Sequence, residues 1–166
     1  MIQRVQSLFL LGAAVCFGWA CFVPIGMFKG SEMFYVYTPW VLKQDIVNGL
    51  NVQETYYIGL LQCILAVISF AAIFFYKNRP LQSKICTSAI IISFMLLVLI
   101  LFVYPDRIFP QIFILLGEYV IGSDALNGVR YSPWIALSVL PVAFLYLANK
   151  FIVKDEKKVR AADRLR

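Results

Sequence analysis

Lys77-Asn78-Arg79-Pro80-Leu81-Gln82-Ser83-Lys84 is a short basic loop between two long apolar runs, and its reading decides the fold. Upstream, Thr55 to Tyr76 carries no charged residue over 22 positions, and downstream Ile85 to Pro105 carries none over 21. At roughly 1.5 Å per residue each run makes a helix of about 30 Å, the thickness of a bilayer core. Two such runs with a short joint read as a transmembrane helical hairpin. Pro80 gives the joint a cause, because it cannot continue a helix and biases Arg79 away from helical geometry.

Two further runs match these. Val5 to Phe28 is uncharged, and so is Tyr131 to Asn149. The expected organisation is therefore a single all-α membrane domain, a four-helix bundle with spans at about 5–28, 55–76, 85–105 and 131–150. Between them lie outer segments 29–54 and 106–130, the 77–84 loop and a tail, 151–166. A composition of 61% hydrophobic and 14% charged residues agrees, since a soluble domain holds about 25% charged residues.

Charge sets the orientation. Eleven of the fifteen Lys and Arg residues fall with the 77–84 loop: Arg4, Lys77, Arg79, Lys84, Lys150 and six in the tail. Lys29, Lys43, Arg107 and Arg130 fall on the other side. The positive-inside rule places both termini and the loop in the cytoplasm. The net charge of +6 is thus a topology signal, and no nucleic-acid partner is expected.

The first span has a longer apolar region than a signal peptide, so it reads as uncleaved. Gly12, Cys16 and Ala20 recur every four residues, a small-residue stripe that lets helices approach closely within the bundle. Pro24 deprives the Ala20 carbonyl of its helical donor, so a bend is expected near the outer end. In the first outer segment Met33 to Thr38 is β-favouring, and Asn48-Gly49 is a turn signal. A short strand or hairpin over the outer face follows, with Trp40, Tyr56 and Tyr57 at the membrane interface. The second outer segment holds Pro105 and Pro110 as helix breakers. Its apolar part, Gln111 to Gly122, reads either as a strand joining the cap or as a surface helix. The reading adopted is a small β cap.

Gln62 is the one amide deep in a span, and a helix–helix hydrogen bond is its expected role, with a substrate contact as the alternative. Thr87, Ser88 and Ser93 can bond to carbonyls of their own helix. Ser132-Pro133 opens the fourth span as N-cap and first helical residue. Pro141 should kink it. The tail continues as a helix with Glu156 and Arg160 as an i,i+4 pair, lying against anionic lipid or docking a partner.

Several chemistries are excluded. The chain has no His, which removes bis-His haem, the usual Ser-His-Asp triad and most protein zinc sites. Cys16, Cys21, Cys63 and Cys86 lack C-x-x-C spacing and read as small apolar residues. No phosphate-binding loop or dinucleotide fingerprint occurs. No charge lies in the membrane core, which argues against a proton or ion pathway. An enzyme would have to use Glu54, Asp106, Glu118 or Asp124 with Arg107 or Arg130, and nothing in their spacing pairs them. No catalytic, cofactor or metal residue is assigned.

Three stretches carry a family likeness: Met1-Ile2-Gln3-Arg4-Val5-Gln6-Ser7; Tyr76-Lys77-Asn78-Arg79-Pro80-Leu81-Gln82; and Leu147 to Lys150 followed by Lys154 to Arg166. Together they resemble a four-span inner-membrane family of Bacteroidota, domain of unknown function 4293. The resemblance implies a bacterial inner-membrane protein of four helices and implies no activity. All three stretches fall on the expected cytoplasmic side. They define a candidate docking surface of Arg4, Lys77, Arg79, Gln82, Lys154, Asp155, Glu156, Arg160, Asp163, Arg164 and Arg166. The expected function is a non-catalytic subunit or assembly factor of a membrane complex, with another membrane protein and anionic lipids as partners. The alternative is a lipid- or small-molecule-handling protein with an apolar cavity near Gln62 or Pro141.

Overall fold

The computed structural model describes residues 2–29, 34–44, 50–108 and 129–163. Four helices, α1 (Ile2–Ala20), α2 (Tyr56–Phe74), α3 (Arg79–Val98) and α4 (Ala136–Asp163), form a closed ring in which α1 and α3 each pack against both α2 and α4. Five short strands cap one end: β1 (Gly26–Lys29), β2 (Phe34–Tyr37), β3 (Val41–Gln44), β4 (Leu50–Glu54) and β5 (Val129–Tyr131).

Each helix buries one stripe at 3–4-residue spacing. Leu10, Ala13, Phe17 and Ala20 come from α1; Ile58, Leu65 and Ala72 from α2; Cys86, Ala89 and Leu96 from α3; Leu145, Ala148 and Ile152 from α4. Alanines recur on all four stripes, so the backbones approach closely without large side chains between them. The opposite faces carry exposed large apolar residues such as Leu8, Val15, Val67, Phe94 and Tyr146, the arrangement of a bundle solvated by lipid. The helices of residues 56–74, 79–103 and 133–159 are long and apolar enough to cross a membrane.

The first span departs from expectation. Its helix ends at Ala20, its apolar part Val5–Ala20 is shorter than the others, and Gly26–Lys29 is a strand. Pro24 therefore follows the end of the helix and bends nothing. The last turn closes through the Phe22 amide donating to the Trp19 carbonyl at 3.0 Å. Gly12 of the small-residue stripe meets Phe144 of α4, where a Cβ would stand 3.4 Å from the ring.

The hairpin joint is tighter than the eight-residue loop expected. A 3-10 turn, Phe75–Lys77, leads through Asn78 directly into α3. Pro80 sits in the first turn of α3, where its missing N–H is one that no helical carbonyl would have accepted. At the far end α3 widens into a π-helical stretch, Leu99–Ile108, which runs through Pro105 instead of breaking there. Within this stretch the Leu101 carbonyl accepts from the Tyr131 hydroxyl at 3.0 Å, which ties it to β5.

The strands form one antiparallel sheet in the order β4-β3-β2-β1-β5, with a register shift between Leu42 and Lys43. The Asn48-Gly49 turn and the Gln111–Gly122 segment lie outside the described residues. The cap seats on the bundle through the turn between β2 and β3. Thr55 Oγ1 donates to the Thr38 carbonyl at 2.9 Å, and the Gly59 amide of α2 donates to the Pro39 carbonyl at 3.0 Å. Trp40 is not a free interfacial ring. Its indole N–H donates to the Cys21 carbonyl at 2.7 Å, and its ring lies over Gly59.

Candidate functional site at the basic end of the bundle

Among the described residues, those singled out around the hairpin turn and the tail share one end of the bundle, opposite the cap. Two of them are engaged with each other. Arg79, at the start of α3, reaches Asp155 of α4, with Nη1 and Oδ2 3.2 Å apart. The two side chains are 27% and 15% exposed. The contact is an ion pair by distance, and its alignment is not that of a hydrogen bond.

Below this pair α3 and α4 share a polar seam. Ser83 Oγ donates to Asn149 Oδ1 at 2.8 Å, and Asn149 Nδ2 donates to Thr87 Oγ1 at 3.2 Å. Arg79, Ser83 and Thr87 follow at four-residue spacing, so they lie on one face of α3 and meet Asp155 and Asn149 on antiparallel α4. In the sequence Asn149 ends a span and lies in the stretch Leu147 to Lys150, with nothing to mark it as a contact residue. The signal was present in the spacing of 79, 83 and 87, but nothing in the sequence named α4 as the neighbour. Thr87 also donates to the Ser83 carbonyl at 2.9 Å, and Ser88 and Ser93 bond back within α3.

Gln82 is 3% exposed and does not offer itself for docking. Its Nε2 donates to the Ala72 carbonyl at 2.9 Å, satisfying a carbonyl near the end of α2 and locking the hairpin. Lys154 is exposed and Glu156 partly so. With Lys150 and Lys157, Lys154 lines a 420 Å³ groove on the outward side of α4, completed by Tyr146, Asn149 and Val153. Arg164 and Arg166 lie outside the described residues, as do the side chains of Arg4, Lys77, Arg160 and Asp163.

The intramembrane amide is internal. Gln62 is fully buried, and its Nε2 donates to Ser138 Oγ of α4 at 3.2 Å. Its Oε1 has no partner among the described residues. This asymmetry sets a prediction. Ser138→Ala strands both ends of a buried amide and is expected to cost about 1 kcal/mol. Gln62→Leu removes the amide altogether and is expected to be neutral within about 0.5 kcal/mol. Thermal unfolding of the two variants in detergent checks the order, and a costlier Gln62→Leu would contradict it.

Of the candidate acid–base groups, the side chains of Asp106 and Arg107 lie outside the described residues. Glu54 in β4 and Arg130 in β5 stand at opposite edges of the sheet, and Glu118 and Asp124 lie outside the described residues. Among the described residues no three His, Cys, Asp or Glu side chains come together as a metal site. An apolar groove of 720 Å³ does exist, between α1 and α2, with Leu8 and Leu11 facing Phe70, Ile73 and Phe74. It lies away from Gln62 and Pro141, where a cavity was expected. Pro141 is buried inside α4, which continues through it.

A ring of four apolar helices with an antiparallel cap at one end and a basic polar seam at the other is a multi-pass membrane protein. The chain belongs to the family described as Domain of unknown function (DUF4293), which matches residues 2–165. A comparison with curated proteins finds no match.

Proposed function

We propose that this chain is a non-catalytic integral protein of the bacterial inner membrane, with both termini in the cytoplasm, serving as an accessory subunit or assembly factor of a membrane complex. The observation that carries the reading is the division of polar chemistry in the bundle. Inside the spans, Gln62, Ser69 and Ser93 bond to other groups of the bundle itself. At the basic end, Lys150, Lys154 and Lys157 line an open groove just below the last uncharged residue of the fourth span. Lysines at that depth suit the phosphates of anionic lipids, and the exposed tail helix beyond them suits a protein partner. Because Arg79, Gln82 and Asp155 hold the bundle together, the docking surface narrows to the outward face of α4 and the tail.

Purification in gentle detergent, with mass spectrometry of what stays bound, tests this. A stoichiometric membrane partner is expected, and deletion of residues 154–166 is expected to release it while the bundle stays monodisperse. A partner unaffected by the deletion, or none, overturns the docking reading. The groove between α1 and α2 favours a second reading, a protein that handles lipid or an apolar small molecule. A chain that carries only lipid, seated in that groove, would support the second reading instead.

A further inference from the structure

Cys21 and Cys63 are separated by 42 positions in the chain, and the fold brings their sulfurs to 3.5 Å across the α1–α2 seam. Cys21 immediately follows α1 and is 3% exposed. The Cys21 thiol donates to the Phe17 carbonyl at 3.3 Å. Trp40 closes over this corner through its bond to the Cys21 carbonyl and its contact with Gly59. Access from the aqueous face is thereby blocked at Cys21. Cys63 is different. It is exposed, on the same outward stripe of α2 as Leu60, Ile64 and Val67. It lies seven residues into α2 from Tyr56, about 10 Å along the helix axis. A reagent that reaches it must travel in the apolar phase.

We propose that Cys21 and Cys63 are a redox pair, oxidised to a disulfide by a lipid-soluble quinone. Two S–H bonds break and one S–S bond forms. Two electrons and two protons pass to the quinone, which becomes the hydroquinone. Cys63 meets the oxidant, and Cys21, held behind it, closes the bond. A disulfide needs the sulfurs about 2.05 Å apart, so the remaining approach is side-chain rotation and a slight closing of the α1–α2 seam. The bond ties the end of the shortest apolar helix to α2, directly beneath the contact that seats the cap. Under the proposed topology this is the extracytoplasmic end, the side on which disulfides persist. The thiol chemistry itself depends only on the pair and the membrane, so its test is independent of the docking reading.

The test is thiol counting on the full chain in detergent micelles. Wild type and variants are incubated with a short-tailed ubiquinone analogue, quenched in acid, denatured, alkylated with a maleimide and weighed intact. Wild type has four cysteines and is expected to keep two alkylatable thiols, releasing one hydroquinone per chain. Cys21→Ser and Cys63→Ser are each expected to keep all of theirs. The Cys16→Ser/Cys86→Ser double variant, with the pair intact, is expected to lose both of its thiols and to run as a monomer on a non-reducing gel. Retention of four thiols by wild type overturns the proposal. So does thiol loss that survives either single substitution, or a disulfide-linked dimer in place of the internal bond. Oxidation by diamide but not by the quinone would overturn the assignment of the oxidant.

Discussion

Gly59→Val is expected to unseat the β cap from the helical bundle. A Cβ at position 59 would stand 2.7 Å from Trp40 Cδ2 and 2.8 Å from Cε2 and Cε3, closer than carbon atoms pack. The indole has little freedom to retreat. Its N–H is bonded to the Cys21 carbonyl at 2.7 Å, and the backbone beside it is held by the Gly59 amide on the Pro39 carbonyl. Relieving the clash therefore breaks a bond that joins α1, α2 and the sheet at one point. Overpacking of this kind costs about 1–3 kcal/mol, and the lost indole bond adds about 1 kcal/mol. Thermal unfolding in detergent should fall, and proteolysis of the cap should quicken before the helices melt. Combining the change with Trp40→Ala gives a sharper check. With the ring already gone, the added methyls meet space, so Gly59→Val should cost much less in that background. Equal costs in both backgrounds would show that the contact does not hold the cap.

Phe17→Ala is expected to be the most destabilising single truncation in α1. Phe17 is fully buried, the largest side chain on the stripe that α1 presents to the bundle. In water-soluble proteins such a truncation costs about 3–5 kcal/mol, part of it transfer from water and part the cavity left behind. Lipid tails are as apolar as the protein interior, so the transfer part shrinks and the lost contacts remain. About 2 kcal/mol is the expected cost, read as a fall in the unfolding midpoint in detergent. Leu8→Ala serves as the comparison. Leu8 is 65% exposed on the lipid-facing side of the same helix, and its truncation should stay within about 0.5 kcal/mol. If the two variants unfold alike, α1 is not seated by its inward stripe.

Both results bear on the same feature. α1 has the shortest apolar stretch of the four helices, and its seat depends on contacts at each end. At the basic end Phe9 stacks on Phe151 of α4 with ring centres 5.8 Å apart. At the cap end the Trp40 clamp and the Cys21–Cys63 contact hold it to α2. The cap is thus a fastening for α1 as much as a cover for the bundle.

Much of the architecture was legible in the chain. Uncharged runs of about 20 residues dictate helices, because a backbone in lipid must satisfy its own polar groups and a helix does so within one segment. Ser132-Pro133 marked a helix start, although Ser132 makes no side-chain cap, whereas Pro80, expected to hold the joint out of helix, opens α3 instead. The β-favouring run at 33–38 appears as β2, Phe34–Tyr37. Of the candidate docking surface, Arg79, Gln82, Lys154, Asp155 and Glu156 were legible as residues of one end of the bundle. Its division into internal and outward groups was not. Gln82 and Arg79 carry the same polar signal whether they face water or a neighbouring helix.

The sequence by itself determined the membrane class, the existence of a helical hairpin and the asymmetry of Lys and Arg among the segments that join the apolar runs, because length without charge and the placement of Lys and Arg are properties of single segments. Tertiary structure decided where α1 gives way to strand, since Gly26–Lys29 is apolar enough for either state and pairs with β2 and β5. It decided that Trp40 clamps Gly59, that Asn149 bridges Ser83 and Thr87, and that two cysteines 42 positions apart touch. Periodicity tells which face of a helix is buried. Which helix lies opposite, and at what height, depends on packing among all four.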